Sequence, residues 1–467
     1  MSSLMNLVDL TRGALQADQA ALNATANNVA NQNTVGYTDE VVSWSAGDTV
    51  TLSGNSQGLE APTVTTSSLR DRVLDQRVQQ QTQAQSGTSA EAAVLSQMEG
   101  VFSITGNSTS AGSTQIGTSL NAFFSSLTAL SANPSNEPTQ QGVLSAARTL
   151  AQAFNAAATG LAGVQTSVNS SLSSAVGQVN SLTKSIAALN AQIGAEDPNR
   201  DAGQLEDARQ EDIAKLSALI GLNQTTTESN GLTLTTTGGT VLVSGEKQYA
   251  LSSAQVGSTT ALYDDAGANI TAGVSGGSIG GQLTAQGVDL PAAGSALDQL
   301  AYQIGTAVNA QNVAGQTSAG VAGAAIFAVP ATAAGAAAQL AVIPSNASAI
   351  ATAAPGGGST DNTNANALAN LQTIGGGAGG TMSENLATLL SGIGSTSATL
   401  QDENATQQAS LTQLTTQQDT ESGVNLDTEA SNLTLYQRSY QAASQVFTIV
   451  DQLMASAINM GTETAVS

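Results

Sequence analysis

SGVNLDTEASNLTLYQRSYQAASQVFTIVDQLMASAIN, residues 422–459, places Leu426, Leu433, Tyr440, Phe447 and Met454 at intervals of seven. Tyr436, Ala443, Val450 and Ala457 fill a second position three or four residues away, the spacing at which side chains share one face of a long helix. Such a stripe needs apolar cover. The matching stripe lies at the other end of the chain, where Val8, Leu15, Leu22 and Val29 also recur every seven residues. Its second position is less pure, because Thr11, Asp18 and Thr25 stand where apolar residues are expected. Both termini therefore belong to one helical unit, closed within the chain or against another subunit.

Between the ends, residues 4–31 form the expected N-terminal helix, and Asn33-Thr34-Val35-Gly36-Tyr37 interrupts it, with Gly36 suited to a backbone angle other residues avoid. Residues 38–66 are expected to be extended, with turns at Gly47, Gly54 and Gly58. Helical spacing returns over 69–99, 116–130 and 140–195, and again over Leu205–Ile220. Leu232–Thr235 and Thr240–Val243 flank Gly238-Gly239 as a hairpin, and strands are expected to continue to Leu283. Gly276-Gly277 and Gly280-Gly281 are assigned as tight strand connections. Leu297–Val308 is helical in pattern, residues 314–358 are Ala/Gly-rich with little periodicity, and Leu386–Leu390 and Leu400–Leu414 precede the heptad segment. The fold class is α+β multidomain. A discontinuous α-helical core domain made of both termini, with coiled-coil-like packing, occupies 1–197 and 359–467, and a β-rich outer domain is inserted at 198–358.

Composition removes several classes of function. The chain has 467 residues, room for roughly three domains. Only 10% of residues are charged, well below the usual share of about 25%. Thirty-four acidic residues face eleven basic ones, for a net charge of −23, and no Lys or Arg lies between Lys247 and Arg438. A nucleic-acid partner or an anionic membrane surface is excluded, since both require clustered cations. There is no cysteine and no histidine, which removes the usual zinc ligands, thiol nucleophiles and imidazole bases. No cofactor is expected. Asp264-Asp265-Ala266-Gly267 lacks the ligand series of a calcium loop and is assigned as a turn. Asp427, Glu429 and Glu421 suit the positive end of a helix better than acid/base work. Tyr37 and Trp44 are rare aromatics that serve either as contact anchors or as local core. Met1–Leu10 lacks the basic and continuous apolar regions of a signal peptide, so the general secretory route is not expected.

Residues 22–37, LNATANNVANQNTVGY, resemble the N-terminal signature of bacterial flagellar rod, hook and hook-associated proteins, and residues 422–459 resemble the matching C-terminal one. The motif positions are Asn27, Asn28, Asn31, Asn33, Thr34, Gly36 and Tyr37 at one end, and Asn425, Tyr436, Gln437 and Tyr440 at the other. Internal segments, Leu205–Leu219, GSIGGQLTAQGVDL at 277–290, DNTNANALANLQT at 361–373 and the later SENLATLLSGIG, are similar to the branch that joins hook to filament. The resemblance implies a non-enzymatic subunit, with terminal helices lining an inner tube and β-containing domains projecting outward. It also implies unfolded export through the flagellar type III apparatus, assisted by an export chaperone. The implied partners are hook protein and the second hook-associated protein, within a ring-like homo-oligomer whose subunits are monomeric in isolation. The expected assembly interface is Val8, Leu15, Leu22, Val29, Leu426, Leu433, Tyr440, Phe447 and Met454. Hook protein or a distal rod component shares the terminal signatures and stands as the alternative. A secreted adhesin is the alternative of another class, and a hydrolase built on isolated carboxylates lacks a recognisable pair.

Overall fold

The computed structural model describes residues 2–34, 36–45, 49–52, 55–58, 63–103, 114–195, 203–226, 232–374 and 380–463. The expected turns at Gly47 and Gly54 and the boundary at 197–198 lie outside them.

The chain opens with α1 (Ser2–Asn31) and an extended arm, in which β1 (Glu40–Ser45) pairs antiparallel with β4 (Thr63–Ser68) and β2 (Thr49–Leu52) with β3 (Asn55–Gly58). A helical body follows, with α2 (Arg72–Val101), α3 (Gln115–Ala132), α4 (Glu137–Ala195) and α5 (Gly203–Leu219). Their starts are written in the sequence. The Asp71 carboxylate accepts the amides of Val73 and Leu74 at the head of α2, and the Thr114 hydroxyl accepts that of Gly117 in α3. Pro138 occupies the first turn of α4, where a missing N–H costs no helical bond.

The hairpin around Gly238-Gly239 is the centre of a four-stranded antiparallel sheet, β5 (Leu222–Thr226), β6 (Leu232–Thr236), β7 (Val241–Ser244) and β8 (Lys247–Gln248), paired in that order. In β6 the alternation is legible, with Leu232, Leu234 and Thr236 buried. A separate hairpin, β9 (Ser252–Val256) and β10 (Thr259–Tyr263), ends in a turn where Asp264 Oδ1 accepts the amides of Ala266 and Ala268. Next come α6 (Gly277–Thr284), a wider helical turn over Ala285–Asp289, and α7 (Leu290–Ala314). The Ala/Gly-rich stretch holds short strand pairs, β11 (Gln316–Thr317) with β14 (Ala351–Ala353) and β12 (Phe327–Ala328) with β13 (Ala341–Val342), around the single turn α8 (Ala336–Gln339). The chain closes with α9 (Thr363–Asn370), α10 (Met382–Ser422) and α11 (Leu426–Glu463).

Strands therefore do not continue to Leu283. Gly280 and Gly281 lie inside α6, and their role is close approach: a Cβ on Gly281 would stand 2.0 Å from the Gly87 carbonyl oxygen of α2. Gly276 and Gly277 do take positive φ, 71° and 63°, at the entrance to that helix. The two helical pieces expected at 386–414 are one helix, started by a reciprocal cap between Thr381 and Glu384.

One continuous apolar core runs from α2 through α3, α4, the sheet and α7 to α10. Phe123 of α3 meets Phe124 at 5.4 Å and Phe327 at 5.8 Å between ring centres, so the strand-containing middle shares its core with the helices on either side. No break in that core coincides with residue 358. The pair α1 and α11 stands apart with a small core of its own, Ala21, Ala24 and Val42 against Tyr436.

The α2–α6 contact leaves no room for a methyl group. Gly281→Ala is expected to destabilise the body by about 1–3 kcal/mol through overpacking, whereas Gly142→Ala, at an open helical position, should be neutral or stabilising. Paired denaturant titrations measure both, and equal midpoints would overturn the close-packing assignment.

Candidate assembly interface

α1 and α11 form an antiparallel pair, with the end of α1 beside the start of α11. The positions of α1 turned most fully inward are Thr11, Ala17, Asp18, Ala21, Ala24, Thr25 and Asn28. The residues that seemed to spoil the N-terminal stripe are thus the ones its packing covers. Small side chains let the helices approach, and the Thr11 hydroxyl donates back to the carbonyls of Leu7 and Val8, satisfying its buried oxygen. Val8, Leu15 and Leu22 lie at the half-buried flank of this seam, and Val29 is 38% exposed.

On α11 both expected seam positions turn inward along most of the helix. Leu433, Tyr436, Ala443, Phe447, Met454 and Ala457 are half-buried and Val450 is fully buried. Leu426 and Tyr440 remain more open, at 48% and 39% exposure. About a quarter turn around the helix, Leu435, Val446, Ile449 and Leu453 form a second apolar row that faces outward.

Where this pair meets the body, one side chain of α1 joins the stretch Tyr37–Glu40 to the start of α11. Asn28 is 1% exposed. Its amide nitrogen donates to Asp39 Oδ1 at 2.5 Å, to the Glu40 carbonyl at 3.0 Å and to Glu429 Oε2 at 3.1 Å. Its amide oxygen accepts from the Tyr37 hydroxyl at 2.8 Å and the Glu40 N–H at 3.0 Å. Three acceptors share two amide protons while both oxygen lone pairs are used. Asp39 also carries the body. Its N–H donates to the Ser422 carbonyl and its carbonyl accepts from Leu69, while the Ser422 hydroxyl donates to the Leu69 carbonyl. Asn425 starts α11 by accepting the amides of Asp427 and Thr428 on its side chain. Gly36, at φ 80°, lies beyond the end of α1 and turns the chain back so that Tyr37 can reach Asn28.

Nearby, Trp44 of β1 packs on Tyr436 of α11 at 5.7 Å between ring centres. Thr38 donates its N–H to Asp207 of α5, and Arg70 bridges the Thr38 hydroxyl, Asp207 and Asp75. Of the other motif positions, Asn31 and Thr34 shape the turn after α1, whereas Asn27, Asn33 and Gln437 are exposed. Glu429 is buried as a partner of Asn28, while Asp427 is exposed. Among the described residues there is no cluster of three or more metal-ligating side chains, and no helix is long and apolar enough to cross a membrane.

The two terminal segments that meet at this joint are similar to those of flagellar axial proteins. The sequence profile described as "Flagella basal body rod protein" matches residues 10–38, and "Flagellar basal body rod FlgEFG protein C-terminal" matches 419–460, the two halves of the joint. "Flagellar hook-associated protein FlgK helical domain" matches residues 95–327. The chain belongs to the flagellar hook-associated protein 1 family. It is 34% identical over 253 residues to Flagellar hook-associated protein 1 of Bacillus subtilis (strain 168), across 52% of this chain and 48% of that one. The protein of the same name from Escherichia coli (strain K12) is 29% identical over 345 residues, 70% of this chain and 60% of that one. The matched region thus spans about half to three fifths of these relatives' own length. A solved structure of the flagellar hook junction protein FlgK from Burkholderia pseudomallei superposes with a TM-score of 0.66 at 19% identity, covering 73% of this chain and 99% of that one, and so shares its fold.

The joint carries a pH dependence. Burial, followed by the negative charge of Glu429, pushes the Asp39 carboxyl from its ordinary 3.8 to about 6. A carboxyl that binds its proton more tightly in the folded joint than in the opened chain stabilises the joint fully below about pH 4. That contribution is lost as pH rises through 6. Amide exchange over residues 425–433, corrected for intrinsic rates, should show stronger protection at pH 5 than at pH 7, and Asp39→Asn should flatten the difference. An unchanged profile in Asp39→Asn would place the dependence elsewhere.

Proposed function

We propose that this chain is a structural, non-enzymatic subunit of the bacterial flagellum that joins the hook to the filament. The observation that carries this reading is the α1–α11 pair. It is bound to the body through the Asn28 joint, covered by a seam of small residues, and left with an apolar row along its outer face. An outward apolar row on a long helix is an interface awaiting neighbours. In a secreted axial subunit those neighbours are further copies in a ring, hook protein on one side and the second hook-associated protein on the other. An export chaperone would cover the same row before secretion and keep the subunit monomeric.

Hook and distal rod proteins fit the terminal segments equally well. The internal match over 95–327 favours the junction assignment. In a strain lacking this chain, hooks should form while filament protein is released without assembling. Normal filaments would refute the junction role, and missing hooks would favour the alternative.

Within the helix pair, Phe447 lies in the half-buried seam and Gln441 on the polar side. Phe447→Asp forces a carboxylate into apolar packing, and motility on soft agar should fall at least about tenfold more than for Gln441→Asp. Equal effects at the two positions would show that the seam is not needed for assembly. Deleting residues 4–30 should abolish incorporation when purified protein is added to hooks lacking the native subunit, a test that bypasses export. Circular dichroism should retain the strand signal, because α1 lies outside the main core.

A further inference from the structure

A polar cavity of about 140 Å³ lies between the head of α2, α5 and β5. Its walls hold Arg70 and Arg72, which flank the Asp71 cap, and Arg209 of α5. The chain has only eleven basic residues against 34 acidic ones, and three of the eleven meet at this void. Arg72, Gln76 and Gln79 follow one another at helical spacing on α2, as Glu206 and Arg209 do on α5, so each helix turns one polar edge toward the cavity.

These walls are short of acceptors. Gln79 is 6% exposed and its Nε2 makes no hydrogen bond, and Arg70 Nε is buried without one as well. Both atoms are donors. Arg72 takes part in none of the salt bridges among the described residues. Arg209 is 8% exposed; its Nη1 donates to the neutral Asn190 Oδ1 at 3.0 Å, and its Nη2 stands 3.8 Å from Glu206, beyond hydrogen-bond length. The other carboxylate of the wall, Asp75, accepts from Gln418 and stands 3.9 Å from Arg70. Burial pushes the Arg209 guanidinium below its ordinary value; Glu206 opposes this, and the like charges of Arg70 and Arg72 add to it. Buried donors without acceptors, beside cations that repel one another, are the complement of an anion.

We propose that this cavity binds a small tetrahedral oxyanion of the phosphate type. Its volume excludes nucleotide-sized ligands, whose pockets take about 300 Å³ or more. An ion enters at the mouth, where Arg72 and Gln76 are exposed. Its oxygens accept from Gln79 Nε2 and Arg70 Nε, and the guanidiniums of Arg72 and Arg209 supply the charge. Arg70 also bridges the Thr38 hydroxyl and Asp207, so the ion braces α2 against α5 at the place where the arm leaves the body. The inference does not depend on the junction reading.

The test uses the full chain, freed of phosphate and sulfate and titrated calorimetrically with inorganic phosphate at an ionic strength fixed with chloride. The expected result is one site per chain with a dissociation constant below about 1 mM, with sulfate competing and slower amide exchange over residues 72–79 and 203–209 at saturation. Arg72→Gln, at an exposed position, should weaken binding at least about tenfold, because it removes a charge-assisted contact. Arg77→Gln removes the same charge from the same helix at a position that does not line the cavity, and should change the affinity by less than about twofold, as a distant screened charge does. No binding, an Arg72→Gln chain that binds as tightly as the native one, or equal losses in Arg72→Gln and Arg77→Gln would each overturn the inference, the last by showing diffuse attraction in place of a site. None of these outcomes bears on hook or filament assembly.

Discussion

The Asn28 side-chain amide is the constraint on which the placement of the terminal helices depends. It is buried, it holds the start of α11 and the first residues of the arm, and it leaves three acceptors competing for two protons. Shortening this side chain would strand the Tyr37 hydroxyl and two carboxylates in a half-buried site, at about 1–3 kcal/mol for each unsatisfied group. An aspartate there would add a third negative charge. Asparagine alone among side chains of this reach offers donors toward Asp39 and Glu429 and an acceptor toward Tyr37 and the Glu40 amide.

Around that joint the molecule divides its packing into two regimes. The body has one continuous core of leucine, valine and phenylalanine, with glycine used where α2 and α6 nearly touch backbone to backbone. The α1–α11 pair has almost no core of its own. Its interior is alanine, threonine and one aspartate on α1 against larger residues on α11, so its burial per residue is modest and its outer row is left uncovered. A helix pair of that kind gains much of its stability from neighbours, since isolated helices depend on tertiary packing of an apolar face.

The heptads and the hairpin at Gly238-Gly239 were legible in the sequence because each rests on short-range geometry. Other features required the fold. Thr11, Asp18 and Thr25 read as flaws in an apolar stripe, yet small or self-satisfying polar residues are what a close helix pair accommodates. Gly280 and Gly281 read as turns because the same residue serves both tight turns and close approach, and nothing local separates the two uses. Asn28 and Glu429 belonged to recognisable segments, but they are 401 positions apart, and no spacing rule brings them together. The Arg70–Asp207 ion pair was invisible for the same reason.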